Sequence, residues 1–232
     1  MFWSVFAPWS PPTTGYECAH TSPLHPKIHN MGNTGIRGVL HARGARFATR
    51  AIDVLAYGGV NMREVVAEGM YRCLPYGAAV LDVGCGVGTM TQELFKQKFD
   101  VTGIDASKEM IAEARQACSN VPYHVLNAVD VTENYSTRAA VVCMVFHEMP
   151  TSVHLEVLQS LLRITEEVWV VDVEPSYNPS DAFFMGEPYL HTYLQSIDET
   201  MMHVHSEDDK DVSTFEIIPG RVRGWVVRRT AR

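Results

Sequence analysis

Residues Val80 to Thr91, Val-Leu-Asp-Val-Gly-Cys-Gly-Val-Gly-Thr-Met-Thr, limit the fold of this chain more than any other stretch. Ala79, Val80, Leu81 and Val83 suit a strand buried on both faces. Gly84, Gly86 and Gly88 then allow a tight turn with no Cβ to obstruct a ligand. Met90, Leu94 and Phe95 follow at the spacing of one helix face. Strand, glycine loop and helix, in that order, are the setting in which a glycine motif marks a cofactor site. The G-x-G-x-x-G of nicotinamide and flavin folds would place its third glycine one position after Gly88, where this chain has Thr89. Val101-Thr-Gly-Ile-Asp105 reads as the next strand, ending in a carboxylate that can accept both hydroxyls of a ribose.

Three segments carry a resemblance. Asp82-Val-Gly-Cys-Gly-Val-Gly88, Gly103-Ile-Asp105-Ala-Ser107 and Val141 to Pro150 resemble the first motif, the acidic motif and the fourth-strand motif of the class I S-adenosylmethionine-dependent methyltransferases. The resemblance spans residues 60 to 175 and implies an α/β fold: a doubly wound, mostly parallel seven-stranded Rossmann-like sheet with an antiparallel C-terminal edge and an N-terminal helical lid. It implies S-adenosylmethionine as methyl donor, bound at the strand C-terminal edge, and a small or medium-sized acceptor. Gly84, Cys85, Gly86 and Gly88 would then approach the methionine portion, with Asp82 orienting the loop or meeting the ammonium. Asp105 would hold the ribose, Asn127 and Ala128 would border the adenine, and Ala106, Met110 and Phe146 would complete the cofactor set. Asn127 stands where the family usually has an acid, and its amide carbonyl can still pair with an adenine amino group.

A chain of 232 residues, 46% hydrophobic and 20% charged, fits one globular unit with its own core. The organisation expected is a proline-rich irregular segment over residues 1–28, a helical lid over 29–76 and a catalytic domain over 77–232 with an acceptor-pocket insertion at 176–203. A formal charge of −8 supplies no global field to hold a polyanion, which speaks against nucleic acid. Five scattered cysteines, never in Cys-x-x-Cys, speak against a disulfide framework and for a reducing compartment. No run is long enough for stable membrane insertion. A cytoplasmic protein is expected. Before Asp53 the only acid is Glu17, against five basic residues, so a mitochondrial or plastid transit peptide stays open as the alternative.

His41 to Tyr57 reads as a helix with Phe47, Ala51, Val54 and Leu55 as its apolar face, stopped by Gly58-Gly59. Arg43, Arg46 and Arg50 form one stripe, either a solvated face or an anion clamp. His29, His41, Tyr57 and Arg63 are candidates for the pocket lid. Ala139 to Phe146 is a central parallel strand, and His147-Glu148 follow it at the sheet edge where ligands lie in open α/β folds. His147 has the pKa range of a general base, with Glu148 to orient it, if the acceptor is a hydroxyl. Glu187, Tyr189 and His191 precede a helix that would line the acceptor pocket, beside His41 and Tyr57. His203-Val-His205 with Asp208 and Asp209 reads as a solvated hairpin end, and no metal is expected. The alternative function is a non-catalytic methyltransferase-like domain that binds the cofactor or a protein partner.

Overall fold

The central strands of the computed structural model are runs with almost no polar side chain. The structure describes residues 7–8, 27–28, 31–32, 35–178, 187–207 and 209–230. We number strands of three or more residues in chain order. β1 (Ala79–Val83) pairs in parallel with β2 (Asp100–Asp105) on one side and β4 (Ala139–Cys143) on the other. β3 (Tyr123–Val125) pairs with β2, and β5 (Glu167–Val173) with β4, both parallel. The C-terminal hairpin turns back. β7 (Val222–Arg229) lies antiparallel on β5, and β6 (Lys210–Ile218) antiparallel on β7. The spatial order is 3-2-1-4-5-7-6, and a two-residue pairing of Ala7–Pro8 with Thr214 and Ser213 extends the β6 edge.

Among the described residues six helices flank the sheet: α1 (Gly35–Ala56), α2 (Met62–Cys73), α3 (Thr89–Lys96), α4 (Lys108–Ala117), α5 (His154–Ile164) and α6 (Leu190–His205). The side chain of Asn61 accepts the Glu64 N–H at the start of α2, and Ser107 accepts the Met110 N–H at the start of α4, as short polar N-caps do. Alternate strand residues divide into two cores. Val80, Val101, Val141 and Trp169 face Val66, Met70, Leu94 and Ile111 on one side. Leu81, Val83, Val142 and Val170 face Leu158, Leu161, Tyr193 and Ile197 on the other.

Three faces differ from the sequence expectation. α1 begins at Gly35 rather than at His41, and Phe47, Val54 and Leu55 point outward with exposures of 81, 58 and 86%. Phe95 is 40% exposed, because Met90, Thr91 and Leu94 alone form the buried face of α3. His203 and His205 sit in the last turn of α6, not in a hairpin, and His205 Nδ1 accepts the Val212 N–H. Among the described residues no helix is long and apolar enough to cross a membrane.

The hairpin is fitted to β5 through one gap. Phe215 faces Gly224 across the β6–β7 ladder, and its ring occupies the place where a Cβ on Gly224 would lie. The other side of that ring meets Trp169 of β5 edge-on at 5.4 Å. Gly224→Ala should therefore destabilise the protein by about 1–3 kcal/mol in urea unfolding. Combining it with Phe215→Ala should cost clearly less than the sum of the two single variants, and additive costs would refute the contact.

Candidate functional site

The C-terminal ends of β1, β2, β4 and β5 share one edge of the sheet, and α1 spans it as a roof. Between them lies a cavity of about 550 Å³. Its floor at one end is the loop between β1 and α3. Gly84, Gly86 and Gly88 have φ of +66°, +53° and +77°, a left-handed run that glycine alone adopts freely. A Cβ on Gly84 would strike Val145 at 2.7 Å, and one on Gly88 would strike the Tyr123 hydroxyl at 2.7 Å, whereas Gly86 faces open space. The first and third glycines serve packing, and the middle one leaves backbone exposed to the cavity.

Three carboxyl groups shape this end. Asp105 Oδ2 accepts the Gly86 N–H at 2.9 Å and Oδ1 accepts the Ser107 N–H at 2.8 Å, so each oxygen keeps a lone pair. Burial pushes its pKa up to about 6, against those two backbone bonds. Asp82, 1% exposed, accepts the Thr91 hydroxyl at 2.5 Å, and burial pushes it up to about 7 although Thr91 and Arg63 oppose. Glu148 lies near enough to raise Asp105 further. Acceptors for two hydroxyls and carboxylates for a positive charge fit a nucleoside sulfonium donor.

At the other end His147 follows β4 in a short 3-10 turn, Phe146–Glu148. Its Nδ1 donates to Asp172 Oδ1 at 2.6 Å, and its own backbone N–H donates to Asp172 Oδ2 at 3.3 Å. Asp172 is fully buried, and its Oδ1 also accepts the Val173 N–H at 2.7 Å. With Nδ1 taken, Nε2 is the nitrogen left to the cavity, 3.9 Å from Glu148 Oε1. Burial alone would lower the imidazole, but the charge and hydrogen bond of Asp172, helped by Glu148 and Glu187, raise its pKa to about 9. Behind it His154 stacks on Phe146, ring centroids 4.6 Å apart, and donates Nε2–H to the Phe146 carbonyl at 2.8 Å. Burial lowers His154 to about 4, so it stays neutral beside a charged His147.

Of the residues expected at the site, Asp82, Gly84, Cys85, Gly86, Asp105, Met110, His147, Glu148, His41, Tyr57 and Glu187 line the cavity together. The others stand elsewhere. Gly88 is the left-handed N-cap of α3 against Tyr123, and Ala106 is exposed. Asn127 caps a 3-10 turn by accepting the Val129 N–H, and Ala128 packs on the α5 side of the sheet. Phe146 is fully buried against His154. Tyr189 is the N-cap of α6 and His191 is exposed on its first turn. His29 lies outside the described residues. Arg46 donates to the Val87 carbonyl at 3.0 Å and Arg43 lies 3.6 Å from Glu113, so neither forms an anion clamp and none of the arginine stripe lines the cavity. Arg63 does line it, paired with Asp53 at 3.7 Å. Asp172 was not singled out as the partner of His147. Its signal was the parallel neighbour rule: an acid at the end of β5 lies beside the segment that follows β4.

Met144, between β4 and the turn, also lines the cavity, with φ of +59° and its N–H donated to the Val171 carbonyl at 2.7 Å. A non-glycine residue in the left-handed region is strained, and such residues gather at functional sites.

A mostly parallel sheet of this order with an antiparallel edge, a glycine loop after β1 and a carboxylate closing β2 has the class I methyltransferase fold. Residues 80–167 match the family described as a methyltransferase domain. It is 26% identical over 167 residues to the ubiquinone biosynthesis O-methyltransferase of Escherichia coli, covering 68% of this chain and 63% of that one. To the enzyme of the same name from Xanthomonas axonopodis it is 36% identical over 78 residues, 32% of this chain and 33% of that one. The chain thus spans between a third and just under two-thirds of these curated relatives. The fold is shared with the plantazolicin methyltransferase BpumL, solved with a desmethylPZN analog and SAH, at a TM-score of 0.60 and 14% identity, covering 83% of this chain and 90% of that one. It is also shared with the methyltransferase domain of bacterial CtHen1, at a TM-score of 0.58 and 17% identity over 74% of this chain and 99% of that one.

The two buried histidines give stability opposite slopes in pH. His147, whose folded pKa is raised, stabilises the fold fully below about 6.5 and loses that contribution as pH climbs through about 9. His154, whose folded pKa is lowered, costs stability as pH falls from about 6.5 toward about 4. His147→Gln should flatten the alkaline slope of Tm against pH, and His154→Gln the acid slope. An alkaline slope unchanged in His147→Gln would show that the Asp172 pair does not exist in solution.

Proposed function

We propose that the protein transfers a methyl group from S-adenosylmethionine to a hydroxyl of a small or medium-sized acceptor, with His147 as general base. The observation that carries this reading is the 2.6 Å bond from His147 Nδ1 to the buried Asp172. It fixes the ring tautomer and leaves Nε2 to receive a proton from the cavity. The sulfonium, when bound, supplies an activated methyl group, so the chain's own work is to bind, align and exclude water.

In this reading Asp105 takes the ribose hydroxyls through its two spare lone pairs. The open backbone at Gly86 lies along the methionine portion, and Asp82 faces the ammonium. Arg63 lies near Tyr57 and Asp82 and suits the donor's carboxylate. The acceptor hydroxyl lies at Nε2 of His147, which takes its proton while the oxygen attacks the methyl carbon in line. His41, Tyr57 and Glu187 border it, under the roof of α1. The O-methyltransferase names of the curated relatives agree with a hydroxyl acceptor.

The test is a screen of hydroxylated metabolites with the donor present, reading methylated product. With an acceptor in hand, kcat should rise with pH until His147 is neutral, a limb ending near pH 9. Asp172→Asn should move that limb to lower pH while lowering the plateau, because the ring loses the charge that makes it basic. His147→Gln should cut kcat about 10²–10⁴-fold with donor affinity nearly unchanged. Asp105→Ala should weaken donor binding in calorimetry. Donor binding with no turnover on any hydroxyl, amine, thiol or carbon acid would mean a cofactor-binding module instead.

A further inference from the structure

The roof helix has two unlike sides. Gly44, Ala45, Ala48 and Thr49 face the cavity with little side chain. Outward, Leu40, Phe47 and Val54 recur at seven-residue spacing and so share one stripe, with Leu55 beside it. Their exposures are 64, 81, 58 and 86%. With Val39 and Ile52, α1 alone carries six of the eleven exposed large apolar side chains among the described residues. That concentration exceeds ordinary scatter of surface apolar groups.

We propose that this face of α1 docks on an anionic lipid bilayer, and that the cavity takes an acceptor with an apolar tail from it. Charge selects the occupant. Arg37, Arg43, Arg46 and Arg50 lie on α1, and from Gly35 to Ile52 there is no acid, in a chain whose net charge is −8. Arg50 is a neighbour of Phe47 at i+3, and Arg43, 69% exposed although Glu113 lies 3.6 Å away, is its neighbour at i−4. Pairing with a second copy through the same stripe would set these arginines against themselves. A negative surface with an apolar interior satisfies both: the aromatic and aliphatic side chains enter the acyl boundary, and Arg37 and Arg50, with the exposed Arg43, reach the headgroups, while Arg46 stays on the Val87 carbonyl. Among the described residues this face is one convex helix, which suits a flat surface better than a peptide.

The face is continuous with the site. Leu40 and Ile52 line the cavity and are also 64 and 40% exposed, so the cavity opens along the apolar stripe. An apolar tail can remain among Leu40, Ile52 and the acyl chains while its polar head reaches His147. This second half rests on reading the cavity as a methyl-transfer site; the docking half does not.

The experiment is co-sedimentation of the full chain with vesicles of phosphatidylcholine alone and of phosphatidylcholine mixed with phosphatidylglycerol. The mixed vesicles should bind the protein, and raised salt should weaken binding. Phe47→Asp with Leu55→Asp should weaken it at least about tenfold. Neither residue lines the cavity, so donor binding by calorimetry should persist in the double variant and certify its fold. Absence of binding to mixed vesicles, equal binding to phosphatidylcholine alone, or undiminished binding by the double variant would overturn the proposal. So would a dimer in sedimentation velocity that the double variant dissolves, since a second copy would then occupy the face. For the acceptor half, mixed vesicles should raise turnover of a tailed acceptor and not of its tail-free analogue. Vesicle binding without that gain would remove the acceptor half alone. Failure of methyl transfer with every acceptor would sink the catalytic reading and leave the vesicle result standing.

Discussion

A carboxylate with no exposure stands at the end of the central sheet, and three donors hold it there. Asp172 accepts the His147 ring, the His147 backbone N–H and the Val173 N–H. A buried charge is tolerated only when its lone pairs are met, so the three bonds are a condition of the fold as much as of any chemistry. They also join two elements beyond their ladder. β4 and β5 pair as far as Cys143 and Val171, and Asp172 then fastens the Phe146–Glu148 turn to the end of β5. Tyr193 of α6 closes the arrangement by donating its hydroxyl to the Val173 carbonyl at 2.9 Å.

The donor end repeats this economy. Asp105 joins the glycine loop to the start of α4, and Asp82 joins the end of β1 to α3 through Thr91. Each carboxylate is a joint between elements and a wall of the cavity at once. Parallel strands buried on both faces have no room for polar groups along their length, so such groups collect at the strand ends. The cavity sits where the fold can accept charge.

The sheet was legible in the sequence because its rules are local. The strands at Ala79–Val83, Val101–Asp105 and from Ala139 follow from apolar runs within each element, and the helix after the glycine loop from the spacing of Met90 and Leu94. The donor loop was legible for the same reason. α1 was not: periodicity says that Phe47 and Val54 share a side, but not which side meets the protein. Gly44, Ala45 and Ala48 allow closer approach than large side chains do, and hydropathy gives such residues little weight. Asn127 and Ala128 follow the family pattern, and the structure adds that the Asn127 oxygen accepts the Val129 N–H at the start of a 3-10 turn. The partner of His147 was hidden because Asp172 meets it across two strands, 25 residues along the chain.

Among the described residues, side chains of Arg46, Arg43 and Asp53 tie the roof to the body of the domain. Arg46 donates to the Val87 carbonyl, the exposed Arg43 lies beside Glu113, and Asp53 pairs with Arg63 of α2 at 3.7 Å. Bonds of this kind contribute about 0.5–1.5 kcal/mol for the first and less for the second. The cavity floor, by contrast, is built from fully buried strands and carboxylates with their partners met. The domain is built as a vault with a latched door: opening α1 breaks these ties and leaves the floor's own bonds in place. Because the latch lands on the glycine loop itself, anything that stiffens that loop also tightens the door.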